Sequence, residues 1–253
     1  GSRSQLNATT GEFNTSLGGL SMGVGVTTGD YNVAVGYQAG QDLTSGSLNV
    51  SLGSFALANV TTGGSNVALG YGAMSSANSG ESKNVAVGHL TLNLMDSGTD
   101  NFNTAVGCEA GKNVTTGLFN NLIGGQAGDA LTTGTRNVAI GFGALSAEDT
   151  GSHNVAIGHQ VLAVADAGAD AYNVAIGSSA GVAVTTGVDN TLVGSLAGDA
   201  LTTGSYNVAI GKNALGSEDA HGRNVAIGRS ALATQDAGAD AYNIAVGYVF
   251  FFF

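Results

Sequence analysis

The chain repeats one short apolar phrase, Asn-Val-Ala-Ile-Gly or a near variant, along almost its whole length. Copies begin at Asn14, Asn32, Asn49, Asn66, Asn84, Asn103, Asn120, Asn137, Asn154, Asn173, Asn190, Asn207, Asn224 and Asn243, fourteen in all and 17 to 19 residues apart. With the Asn as position 1, position 5 is Gly in every copy, from Gly18 to Gly247, and position 4 is always Val, Ile or Leu. Position 8 is usually Ala, as in Ala39, Ala110, Ala144 and Ala214. A second Gly falls near position 15, commonly after Thr-Thr, as in Thr61-Thr62-Gly63 and Thr202-Thr203-Gly204. A longer period lies above the short one: residues 103–172 align with 173–242 without a gap, and 43 of the 70 pairs are identical.

Seventeen residues are too few for a helix pair, and two fixed glycines would break most helices between them. The Val-Ala-Ile run reads instead as a short strand bounded by Asn and Gly. One strand per repeat suits a parallel β-solenoid whose coils stack at about 4.8 Å. The fold class expected is therefore all-β, a solenoid of about fourteen 17–19-residue coils. Its domain spans 14–247, after a lead-in at 1–13. The ending 248–253, with Phe250 to Phe253, breaks the repeat and reads as a cap, an axial plug or an artefact.

Alternation along the strand predicts two faces. Positions 2 and 4, such as Val67 and Leu69 or Val138 and Ile140, are expected to form the core. Position 3 is then expected to face outward as a small apolar stripe of Ala68, Ala86, Ala105, Ala139, Ala156, Ala175, Ala209 and Ala226. Such a stripe suggests an interface with further copies of the chain, most simply a parallel homotrimer. The alternative is that Ala is merely small and neutral on an exposed strand. Asn66, Asn137 and Asn207 are assigned structural roles, either as rungs of an amide ladder or as turn caps. Gly70, Gly141 and Gly211 supply a turn that a Cβ would obstruct.

Composition narrows the function. Net charge is −11 with only seven Lys plus Arg, which argues against nucleic acid and against anionic membrane surfaces. No apolar run is long enough to span a bilayer as a helix, so no membrane insertion is expected. The N-terminus lacks the apolar core of a signal peptide, and Gly1-Ser2 reads as a cloning remnant. The single Cys108 excludes an intrachain disulfide framework.

The run Asn32-Val33-Ala34-Val35-Gly36-Tyr37-Gln38-Ala39-Gly40, followed by Leu43-Thr44-Ser45-Gly46, resembles the NTAIGYQAL…NTTG repeats of phage tail-fibre-like and bacterial surface proteins. The Val-Ala-Ile-Gly core is also similar to head repeats of trimeric autotransporter adhesins. The resemblance covers roughly residues 14 to 247. It implies a trimeric fibre shaft or adhesin head, located outside the cell, on its surface or on a virion. Its partners would be further copies of itself and an unidentified surface receptor.

Candidate chemistry is sparse, and neither an enzyme nor a cofactor is expected. His89, His153, His159 and His221 read as surface residues; His89 and His159 share position 6 but lie four coils apart. Acidic residues gather in the longer loops as Asp96 with Asp100, Asp166 with Asp170, and Asp236 with Asp240, each pair spanning a Gly. Calcium favours such oxygen-rich loops, yet two carboxylates are few for a tight site and neither the EF-hand nor the calcium nonapeptide pattern is present. The leading expectation is a structural or adhesive fibre segment. Alternatives are an ice-binding solenoid, prompted by the Thr-Thr pairs, and a self-assembling extracellular filament subunit.

Overall fold

The structure, a computed structural model, describes residues 1–77, 80–235, 239–240 and 242–248. The chain divides into two units, residues 1–126 and 127–253. The first carries β1 (Thr15–Leu17), β2 (Val33–Val35), β3 (Val50–Leu52), β4 (Val67–Leu69), β5 (Val85–Val87), β6 (Thr104–Val106) and β7 (Asn121–Ile123). The second carries β8 (Val138–Ile140), β9 (Val155–Ile157), β10 (Val174–Ile176), β11 (Thr191–Val193), β12 (Val208–Ile210), β13 (Val225–Ile227) and β14 (Ile244–Val246). No helix occurs among the described residues. The fold is an all-β parallel β-solenoid of about thirteen coils.

Within each unit, consecutive strands pair in parallel and in register, so that Ala68 sits over Ala86 and Ala209 over Ala226. Equal repeat positions therefore form columns, as the period demands. The isolated bridges Ser82 to Asp100 and Ser152 to Asp170 extend this stacking beyond the strands.

The assignment of faces is the reverse of that expected. Ala68, Ala86, Ala105, Ala139, Ala156, Ala175, Ala209 and Ala226 are all fully buried by their own chain, so they form no surface stripe. Val67, Leu69, Val138 and Ile140, expected in the core, are only half-buried. The reason is room. The coil interior already holds the position 8 column, including Ala73, Ala144 and Ala214, and larger side chains at positions 9 and 12, such as Leu145 and Leu201. Only a small side chain fits on the inner face of the strand, and β-branched residues take the outer face, where they suit the extended backbone.

The exceptions test this account. Leu122 and Leu192 replace the inner Ala, and glycine then takes position 9 nearby. A Cβ on Gly111 would lie 2.6 Å from Leu122 Cδ1, and one on Gly198 would lie 2.8 Å from Leu192 Cδ2. Large and small residues thus alternate to keep interior volume constant.

The expectations for the repeat Asn and Gly resolve in detail. Asn66 Oδ1 accepts the backbone N–H of Asn84 at 3.0 Å, while its Nδ2 donates to Glu81 O at 2.6 Å. Asn137 and Asn207 do the same, accepting from Asn154 N and Asn224 N and donating to Gly151 O and His221 O. One side chain is both rung and turn cap. At position 5, Gly70 has φ +135° and a Cβ there would lie 2.3 Å from Gly88 O. Gly141 and Gly211 stand in the same conformation, with the next coil's carbonyl oxygen as close as 2.2 and 2.6 Å. Position 5 therefore excludes a side chain on two independent grounds, backbone conformation and contact with the next coil.

Candidate functional site

The loop aspartates do not converge as the pairs suggested. Asp100 lies 2.5 Å from Lys83 Nζ, Asp170 lies 3.4 Å from His153 Nδ1 and 3.3 Å from Tyr172 Oη, and Asp240 bonds Arg223. In each case the partner sits one coil earlier or beside it, just before a repeat Asn, so these carboxylates are already engaged. Asp96 is exposed, and Asp236 lies outside the described residues.

Asp166 instead meets acidic residues of the preceding coil. Its carboxylate, with those of Glu148 and Asp149, offers oxygens that all lie within 4.8 Å of one another. The solenoid explains the meeting. Asp149 and Asp166 both occupy position 13, in consecutive coils, and so stack; Glu148 at position 12 points inward into the column otherwise filled by Leu131 and Leu201. Glu148 is fully buried; its Oε1 accepts the Gly151 N–H at 2.7 Å, and its Oε2 has no hydrogen-bond partner. Burial pushes the Glu148 carboxyl above its ordinary range, the Gly151 and Ala167 amides pull the other way, and the charges of Asp166 and Asp149 raise it further. Asp166 is raised too, first by loss of water and then by the charge and hydrogen bond of Asp149.

A second group recurs one long period later, formed by Glu218, Asp219 and His221. Here His221 replaces Gly151, and its Nδ1 lies 3.1 Å from Glu218 Oε1. None of Glu148, Asp149, Glu218 and Asp219 was singled out from the sequence. The signal was available: at positions 12 and 13 Leu-Thr or Val-Thr gives way to Glu-Asp, and the pair is kept across the two aligned modules.

The remaining histidines join aromatic stacks. His89 lies 5.6 Å from the Tyr71 ring and His159 5.9 Å from the Phe142 ring, both nearly parallel. Exposed Cys108 lies in the same column as His89, with Sγ 3.9 Å from Nδ1. Tyr71 and Phe55, joined edge to face, also border an open groove of about 490 Å³ with Gln38, Gln41, Asn59 and Asn93. Aromatic faces beside amide donors and acceptors suit a polar ligand with apolar faces. No helix among the described residues is long and apolar enough to cross a membrane.

No family model matches the chain, and comparison with curated proteins and with solved structures likewise found no match.

Proposed function

We propose that the chain is a structural segment of an extracellular, cell-surface or virion fibre, built as a parallel homotrimer and presenting its loops for attachment. The observation that carries this reading is the outer face of the strands. Leu52 and Ile123 in the first unit, and Ile176 and Ile210 in the second, are exposed large apolar residues at the same repeat position. An apolar column repeated coil after coil is what further copies of a repetitive chain would cover, because matching repeats present matching columns. The interface so proposed is made by positions 2 and 4, not by the buried alanines. Attachment would fall to surface features such as the groove beside Phe55 and Tyr71.

Sedimentation equilibrium of the whole chain tests this. A trimer of the 24.8 kDa chain that persists on dilution supports it, and a monomer at all concentrations refutes it. The ice-binding alternative draws less support, because Thr44, Thr185 and Thr202 donate their hydroxyls to carbonyls of the next coil. In the second unit, position 13 changes from Thr132 to Asp149 and Asp166 before Thr185, which interrupts the threonine array.

A further inference from the structure

We propose that Glu148, Asp149 and Asp166 bind a divalent cation of the calcium type, held between the coils that follow β8 and β9. Three carboxyl groups meet within 4.8 Å, and none of them makes an ion pair among the described residues. Stacked like charges repel, and a fully buried carboxylate without a partner for one oxygen is costly in any fold. Yet the arrangement is built. Glu148 Oε2 is enclosed, lacks a hydrogen-bond donor and belongs to a carboxylate that converges with the two aspartates.

The neighbouring coils show what is missing. At position 13 the usual residue is Thr, whose hydroxyl bridges to the next coil: Thr132 Oγ1 donates to Asp149 O at 3.0 Å, and Thr185 Oγ1 donates to Thr202 O at 3.1 Å. Asp149 and Asp166 cannot donate when ionised, so this column loses its hydroxyl bridges where the two meet. A cation shared by their carboxylates restores a bridge from coil to coil. One long period later the same Glu-Asp pair is kept, but His221 stands in place of Gly151 and bonds Glu218. In the first module the Gly151 N–H takes Glu148 Oε1, and Oε2 is left open.

The ligand chemistry selects among metals. All three donors are carboxylate oxygens, which suit hard cations and not the nitrogen and sulfur preference of zinc. Two of them are exposed on loops, which fits calcium's tolerance of irregular geometry and added water better than the strict octahedron of magnesium. With few protein ligands, affinity falls in the weak range of extracellular modules, a Kd of about 10⁻⁴–10⁻³ M.

The test uses the whole chain after chelator treatment, with equilibrium dialysis against radioactive calcium. Saturable calcium binding is expected, with magnesium at least about tenfold weaker. Glu148→Gln and Asp166→Asn should each weaken binding about tenfold or more, while circular dichroism shows the fold retained; Asp166 is exposed and Asn is isosteric there. Asp96→Asn removes the same charge from the corresponding loop of the first unit and should leave binding unchanged. Absence of saturable calcium binding overturns the proposal. So does magnesium binding as tightly as calcium, or an Asp96→Asn effect equal to that of Asp166→Asn, which would mark diffuse attraction to an acidic surface.

Discussion

In β12, Ala209 is fully enclosed while its neighbour Ile210 keeps 37% of its surface exposed, so adjacent apolar residues stand on opposite sides of one thin wall. Enlarging the inner residue and charging the outer one should therefore have different consequences. Ala209→Leu forces a second Leu beside Leu192, its partner in register, and should cost about 1–3 kcal/mol in urea denaturation. Ile210→Lys should change folding by less than about 1 kcal/mol. In the proposed trimer it should instead shift the sedimentation equilibrium toward monomer.

The amide ladder predicts an effect larger than the size of the side chain removed. Asn190 is buried, accepts from Asn207 N at 3.0 Å and donates to Gly204 O at 2.9 Å. Asn190→Ala strands both groups away from water. Each costs about 1–3 kcal/mol, so a loss of about 2–6 kcal/mol is expected from urea midpoints.

Two glycines with positive φ differ in both backbone strain and contact with the next coil. A Cβ on Gly211 would lie 2.6 Å from Gly228 O, whereas one on Gly168 meets nothing within 4 Å. Gly168→Ala should cost only the left-handed strain, about 1–2 kcal/mol. Gly211→Ala, at φ +129° and so outside the left-handed well, combines greater strain with a clash between coils and should cost clearly more, about 2–4 kcal/mol in all. Thermal unfolding of the two variants side by side checks the ordering.

Glu148 makes stability depend on pH in the chelated protein. Its carboxyl lies above the ordinary value of 4.5, first because of burial, so the folded state holds its proton more tightly than the unfolded chain does. The stability it contributes is full below that ordinary value and is lost as pH rises through the raised folded value. Glu148→Gln should flatten this decline and make the chelated protein more stable near neutral pH. Urea midpoints measured from about pH 4 to pH 8 in wild type and variant give the comparison.

How the candidate site escaped the sequence follows from where its parts lie. Asp166 was visible as a loop carboxylate, but its visible companion was Asp170, four residues on, and that residue bonds Tyr172 and faces His153. Its companions in space are Asp149, one coil earlier at the same repeat position, and the buried Glu148. Reading down columns instead of along loops finds Asp149 from spacing alone. It does not find the open Oε2 of Glu148, which depends on how the turn at Gly151 closes around the carboxylate.

The period by itself determined the stacking. A Gly at every position 5 and an Asn at every position 1 leave parallel, in-register coils as the arrangement that satisfies them all, with an amide passed from Asn49 to Asn66 to Asn84. What the tertiary structure decided was which side of each strand is inside. Alternation separates Val67 and Leu69 from Ala68 but is symmetric between the two faces, and hydrophobicity alone favoured the larger residues as core. The choice turns on volume: once Ala73 and Met74 fill the interior from the opposite wall, only Ala68 fits, and the branched side chains are left outside.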